Sequence, residues 1–310
     1  MDPRAPGFHT PDMSASPGPF GRINAAMITP FDADGALDPE GAARLAARLV
    51  DEDGCDGLVV SGTTGESPTT SDEEKTLLVR TVVEAVGDRA TVTAGVGSSD
   101  TRHSAGLARA AERAGAHGLL VVTPYYSRPG QPAVVHHLRE VADATGLPVL
   151  LYDIPARTGT ALSTESLLRL AEHPRIQGVK DCSYDPLKAA KIIGATGLSY
   201  YSGCDELILP LRSIGAVGCV SSVANVAGRH VRAMLDAFDA GDHTTATRLH
   251  LALVPLVDAL MSEAPYTVTL KALLAAHALP SGPLRAPLLP ADDLLTTRVV
   301  EAFKQLTPAT

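Results

Sequence analysis

From residue 22 onward the chain alternates short apolar runs with amphipathic segments. The apolar runs, at 23–29, 57–61, 90–94, 118–123, 148–152, 176–180, 198–201 and 216–221, predict eight strands. Most are continuously apolar rather than alternating, as parallel strands covered on both faces are. Helix starts punctuate the segments between them. Asp38 followed by Pro39 is an N-cap with proline at the first helical position. Ser71 and Glu74 form a capping box ahead of Leu77, Leu78 and Val82. Pro186 opens a helix that carries Leu187, Ile192 and Ile193. Eight βα units in about 220 residues predict an α/β fold, a closed (β/α)8 TIM barrel. An open doubly wound sheet is the rival, and no G-x-G-x-x-G follows the first strand to support it. Strand signals stop after Val226, and 229–278 and 291–305 read as helices with apolar faces such as Leu249, Leu253 and Leu256. The expected organisation is a disordered lead-in at 1–20, the barrel at 21–228 and a C-terminal helical appendage at 229–310. The appendage is expected to cover the barrel or to meet a neighbouring subunit.

The lead-in holds Pro3, Pro6, Pro11, Pro17 and Pro19 and no hydrophobic core segment, so it does not read as a signal peptide; Met13 is a second candidate start. The 310 residues are 45% hydrophobic and 20% charged, which is ordinary for a globular protein. A net charge of −9 with no basic run argues against a nucleic-acid partner. No apolar stretch reaches the roughly 18–20 residues that a membrane helix needs. Cys55, Cys182, Cys204 and Cys219 form no C-x-x-C pair and show no zinc spacing. Free thiols in a cytoplasmic protein are the expectation.

Lysine is scarce, with six against twenty arginines, yet Lys180 closes the apolar run at 176–180. A desolvated lysine amine is a nucleophile toward carbonyl carbon. The bland alternative is a lysine that snorkels out of a strand end. In such barrels the active site lies at the C-terminal ends of the strands. There the sequence places Ser61-Gly62-Thr63-Thr64-Gly65-Glu66-Ser67 after strand 2 and Thr123-Pro124-Tyr125-Tyr126 after strand 4. Tyr152 and Arg157 follow strand 5, Ser202-Gly203-Cys204-Asp205 follows strand 7, and Ser221-Ser222 ends strand 8. The glycine-rich turn suits an anion nest, with the Thr63 and Thr64 hydroxyls adding hydrogen bonds, although it is also ordinary turn composition. Glu66 reads as holding that turn rather than as a base. Arg157 becomes a carboxylate clamp if its loop folds over the mouth. Together these groups suit one chemistry. The lysine attacks a 2-oxo acid to form a Schiff base, and a tyrosine hydroxyl moves protons through carbinolamine, imine and enamine. The enamine then adds to an aldehyde, or the reverse cleavage occurs. This chemistry needs no metal and no cofactor.

From about residue 21 to about residue 289 these motifs resemble, in order and spacing, the dihydrodipicolinate synthase/N-acetylneuraminate lyase family of class I, pyruvate-dependent aldolases. The resemblance is carried by Gly62-Thr63-Thr64-Gly65-Glu66-Ser67, Thr123-Pro124-Tyr125-Tyr126, Tyr152-x-Ile154-Pro155-x-Arg157-Thr158-Gly159, Gly178-Val179-Lys180-Asp181 and Ser202-Gly203-x-Asp205. It implies that Lys180 forms the imine with pyruvate and that Thr63, Tyr126 and Tyr152 relay protons. It implies that Thr63 and Thr64 hold the pyruvate carboxylate and that Arg157 binds the carboxylate of L-aspartate 4-semialdehyde. Gly203 and Val220 would place backbone groups near the imine. A homotetramer built from tight dimers is also implied, with Tyr126 reaching into the neighbour's site. Two departures stand out: Cys204 replaces the usual aspartate after Gly203, and Asp181-Cys182-Ser183-Tyr184-Asp185 is not the commonest segment. Asp205 and Ser222 are possible second-substrate contacts, because the family's sugar-acid lyases place polyol-binding groups there. Three activities stay open. One is condensation with L-aspartate 4-semialdehyde in lysine and diaminopimelate biosynthesis, which the resemblance favours. The others are a sister aldolase reaction on a 2-keto-3-deoxy sugar acid and pyruvate binding without catalysis. Lysine-inhibited members bind the amino acid at a dimer cleft where this chain offers Asp72, Lys75, Ser99 and His103, which predicts weak or absent inhibition by L-lysine.

Overall fold

The computed structural model describes residues 18–261 and 263–306, so the expected lead-in lies outside the described residues as far as residue 17. Eight parallel strands close into one barrel in chain order. They are β1 (Ile23–Ala26), β2 (Gly57–Val60), β3 (Thr91–Gly95), β4 (Gly118–Val122), β5 (Val149–Asp153), β6 (Ile176–Asp181), β7 (Ser199–Ser202) and β8 (Gly218–Ser221). β8 pairs with β1, which excludes the open sheet. Each strand overlaps its predicted run, and β3, β5, β6 and β7 extend one residue past the predicted C-terminal end. The first is shorter than expected because the ladder stops at Ala26 while burial continues. Met27 N–H still reaches Val59 O, but Ile28 N–H is taken by the Asn225 side chain and the Thr29 hydroxyl by Gly65 O. Apolar continuity reports burial, not strand hydrogen bonding.

The helix starts form for the reasons read from the sequence. Asp38 accepts from Gly41 N–H ahead of Pro39–Asp51, and Ser71 and Glu74 close a reciprocal capping box on Asp72–Val86. Asp185 caps Pro186–Ala195 by accepting from Lys188 N–H.

Side chains fill the barrel in layers. Phe20, Val59, Leu120, Leu150, Tyr201 and Val220 belong to an inner apolar cluster. Phe20 comes from a 3-10 turn at Gly18–Phe20, which starts three residues before the expected start of order at residue 21, and plugs the base edge-to-face against Tyr201 at 6.2 Å. A Cβ at Gly118 would come within 2.8 Å of the Phe20 ring, so that strand position needs glycine. A larger cluster lies between the strands and the helices.

After β8 come helices at Ala224–Asp239, His243–Met261, Tyr266–Ala276 and Asp293–Gln305. The first crosses the expected boundary at 228/229 and bends at Ala227, whose φ and ψ are −136° and 31°. Among the described residues no single helix is long and apolar enough to cross a membrane. All four cysteines are buried and free.

Candidate active site

Backbone strain gathers at the C-terminal mouth of the barrel. Ser61, Glu66, Tyr126, Arg128 and Tyr184 are non-glycine residues with positive φ, and all lie in loops that follow β2, β4 or β6. These loops frame a cavity of about 240 Å³ whose lining includes Thr63, Tyr125, Tyr152, Ile154 and Arg157. Tyr152 lines this cavity, and Lys180 is its neighbour across the β5–β6 ladder.

Lys180 is 5% exposed, and its Nζ lies 4.1 Å from the centroid of the Tyr152 ring. The two residues face each other in the β5–β6 register. No carboxylate of the described residues lies within ion-pair distance of Lys180, whereas the other two buried lysines, Lys188 and Lys271, each have one at 2.6 Å. Burial holds the Lys180 amine below its ordinary range, partly offset by Cys182, Cys204 and Asp205. Lowering the pKa enlarges the neutral, nucleophilic fraction at neutral pH. Burial likewise pushes the Tyr152 hydroxyl well above its ordinary range, while a hydrogen bond with Thr63 and the charge of Arg157 pull the other way. Tyr152 therefore enters as a protonated phenol beside Thr63.

Gly203 lies against the stem of Lys180. A Cβ there would stand 3.0 Å from both Cγ and Cε of Lys180 and 2.4 Å from Cys182 Sγ. Val220 is fully buried in the same wall. In the turn after β2, the N–H groups of Gly65, Glu66 and Ser67 are consumed by Gly62 O and Thr63 O. In that turn the N–H groups of Gly62, Thr63 and Thr64 make no such bond among the described residues, and those of Thr63 and Thr64 are the donors read as an anion nest. The Thr64 hydroxyl is 3.0 Å from Ser222 Oγ, and Thr64 O accepts from Thr267 Oγ1 at 3.2 Å. Arg157 is exposed at the rim, on the short helix Pro155–Thr158.

Asp205 and Ser222, the possible second-substrate contacts, both make internal hydrogen bonds. Asp205 is 3% exposed, and its two oxygens accept from Ser221 Oγ and Val223 N–H at 2.5 and 3.0 Å. Ser222 is 9% exposed and is engaged with Thr64. Tyr126 is 95% exposed with φ of 70°, so the fold does not bring it to Lys180 of its own chain.

Glu66 pairs with Lys271 Nζ at 2.6 Å, and its second oxygen accepts from Arg285 N–H at 2.9 Å. It holds the turn and is not poised as a base. Lys271, Arg285 and Thr267 come from the C-terminal region, so the appendage braces the nest. Sequence reasoning missed these three and Lys188. The signal available for the lysines was their scarcity, six in the chain, of which the fold buries three. Among the described residues no three His, Cys, Asp or Glu side chains converge as a metal site would require.

Known proteins are similar in sequence and fold. A model of the dihydrodipicolinate synthetase family matches residues 19–306. The chain is 61% identical over 289 residues to 4-hydroxy-tetrahydrodipicolinate synthase 1 of Streptomyces coelicolor, covering 93% of this chain and 94% of that one. It is 56% identical over 288 residues to the 4-hydroxy-tetrahydrodipicolinate synthase of Acidothermus cellulolyticus, covering 93% of each. A crystal structure of a dihydrodipicolinate synthase from Bacillus anthracis superposes with a TM-score of 0.89 at 38% identity, covering 92% of this chain and 98% of that one. A lysine-bound synthase structure from Cyanidioschyzon merolae gives a TM-score of 0.90 at 36% identity, covering 93% and 98%. With a closed barrel, an unpaired buried lysine under a tyrosine and a match that spans nearly every described residue, the chain belongs to the dihydrodipicolinate synthetase family.

Proposed function

We propose that this chain condenses pyruvate with L-aspartate 4-semialdehyde to give 4-hydroxy-tetrahydrodipicolinate, a step of lysine and diaminopimelate biosynthesis. The relatives named for that activity, at 56–61% identity over most of the chain, support the reading. The observation that carries it is Lys180, buried without a counter-ion beside the phenol that can serve its proton transfers.

The sequence of steps follows from the groups present. Lys180 Nζ attacks C2 of pyruvate, whose carboxylate lies on the Thr63 and Thr64 N–H groups. Tyr152 protonates the carbinolamine oxygen, water leaves and the imine forms. Tyr152, left as a phenolate, takes a C3 proton to give the enamine, whose C3 bonds to the aldehyde carbon while the same phenol protonates the new alkoxide. Arg157 at the rim receives the second substrate's carboxylate. Attack of that substrate's amino group on the imine carbon closes the ring and releases Lys180. Gly203 lets the lysine stem lie close to the wall, and Val220 completes it. A 2-keto-3-deoxy sugar acid would need polyol contacts, and Asp205 and Ser222 are engaged internally.

Tyr126, held out from its own barrel, belongs in this reading to the relay of a neighbouring subunit, in a cytoplasmic homotetramer of tight dimers. Mixing Lys180→Ala with Tyr126→Phe protein under conditions that exchange subunits is expected to recover activity that neither variant has alone. No recovery despite exchange would remove the trans role. L-Lysine is expected not to inhibit at sub-millimolar concentration. His103 is taken by Asp72 at 2.9 Å, and the Lys75 ammonium, bound to Thr70 O, adds a like charge. The deciding assay is turnover of pyruvate with L-aspartate 4-semialdehyde beside cleavage of a 2-keto-3-deoxy sugar acid. Turnover of the sugar acid alone would replace this reading with the sister aldolase.

A further inference from the structure

Lys188 is not part of any motif that carries the chemistry, yet it is among the most confined charges in the molecule. It sits on the helix Pro186–Ala195, behind the barrel wall, with 8% of its side chain exposed. Its ammonium donates to Asp153 Oδ2 at 2.6 Å and to Leu162 O at 3.4 Å, and stands 3.9 Å from Asp181 Oδ1. Asp153 is fully buried and Asp181 nearly so. These carboxylates directly follow Tyr152 and Lys180 in the chain. Side chains alternate across a strand, so Tyr152 and Lys180 point into the barrel while Asp153 and Asp181 point toward the helices.

The register makes the arrangement specific. Asp153 opposite Asp181 is the last pair between β5 and β6, immediately beyond Tyr152 opposite Lys180. Beyond that pair one backbone bond, from Cys182 N–H to Asp153 O, joins the two strand ends. Two buried carboxylates side by side would repel and splay the strand ends, and one ammonium between them reverses the sign. The same backbone also fixes the wall around the amine. Cys182 N–H donates to Asp153 O at 2.8 Å, and Gly203 N–H donates to Asp181 O at 2.9 Å.

We infer that Lys188 is a positioning residue for the imine chemistry: by clamping Asp153 to Asp181 from outside the barrel, it sets the distance and angle between Tyr152 and Lys180 inside it. The inference rests on the reading of Lys180 as the pyruvate-binding lysine. A displacement of about 1 Å between reacting groups costs on the order of 100-fold in rate, so a clamp one residue away has leverage on chemistry it never touches.

The test is time-resolved borohydride trapping at saturating pyruvate, followed by intact mass, on wild type, Lys188→Met and Asp153→Asn. The folded fraction of each is measured by circular dichroism. Positioning predicts that folded Lys188→Met accumulates adduct about tenfold or more slowly but still to completion, with the pyruvate concentration for half-maximal rate little changed. Asp153→Asn keeps the shape and the Lys188–Asp181 contact and is expected to slow trapping by about threefold. A purely structural pair gives the opposite split: a smaller trapped fraction at the wild-type rate. That result, or wild-type rate and extent in folded Lys188→Met, overturns the inference. Should Lys188→Met not fold, wild-type kinetics in Asp153→Asn overturns it instead. A wild type that forms no adduct is a different failure, because it removes the reading of Lys180 itself.

Discussion

Lys188 and Lys271 each lie 2.6 Å from a buried carboxylate, whereas Lys180, equally buried, has no ion pair among the described residues and packs against the Tyr152 ring. The two kinds of site use the same side chain for different ends. A paired lysine is a tether. It joins β5 to β6 in one case and the nest turn to the C-terminal region in the other, and the charge is wanted. An unpaired buried lysine is destabilised as an ammonium, and that destabilisation makes the amine available as a nucleophile. The paired lysines surround the unpaired one's workplace, one behind the strand ends and one beneath the carboxylate nest. The rigid charges thus lie outside the barrel mouth and the reactive one inside it.

Removing the reactive amine should have the largest effect. Lys180→Ala is expected to abolish pyruvate trapping and to lower turnover by roughly 10⁴-fold or more while leaving the fold intact, as read by steady-state kinetics and circular dichroism. Residual trapping at another lysine would collapse the contrast. On the paired side, Lys271→Met strands Glu66 without its counter-charge and should cost about 3 kcal/mol in denaturant unfolding. It should also raise the pyruvate KM more than the aldehyde KM, since the nest turn loses its brace. Adding Glu66→Leu should recover much of the stability, and no recovery would show that the pair is not what the mutation damaged.

Arg157→Ala removes a rim charge without touching either tether. It should raise the KM for L-aspartate 4-semialdehyde by about tenfold and leave the pyruvate adduct unaffected. An equal loss for pyruvate would move Arg157 into the first half-reaction. The contrast also has a pH signature. Below its pKa Lys180 is an ammonium and cannot attack, and above it the amine is free. Because burial lowers that pKa from 10.5, the trapping rate should climb with pH and level off below 10.5. A rise centred at 10.5 would mean that burial does not tune the amine. The smallest effect concerns the outer part of the brace. Hydrogen bonds from Arg285 hold Glu74 down to about 2. A depressed carboxylate stabilises the fold above its unfolded value of about 4.5 and loses that contribution as pH falls through about 2. Wild type should therefore lose more melting temperature than Glu74→Gln between those two pH values.

Most of the barrel was legible because local signals and burial agreed. Continuous apolar runs gave all eight strands, and Asp38, Ser71 with Glu74, and Pro186 marked real helix starts. The position of Lys180 on the sixth run was enough to aim it at the mouth. What could not be read was pairing across the fold. Asp153 and Asp181 meet Lys188 only once β5, β6 and a helix are superposed, and Glu66 meets Lys271 across about two hundred residues of chain. Asp205 looked like a mouth residue because it follows a strand end, yet the turn carries its carboxylate under Val223 N–H. Residue type and spacing place a side chain at an element's end without saying which side of the wall it takes.

The most direct measurement of the central claim is peptide mapping of the wild-type protein after borohydride reduction with pyruvate. The account predicts one pyruvate-derived adduct per chain, on Lys180, with Lys188 and Lys271 unmodified. An adduct on either paired lysine, or none at all, would contradict it.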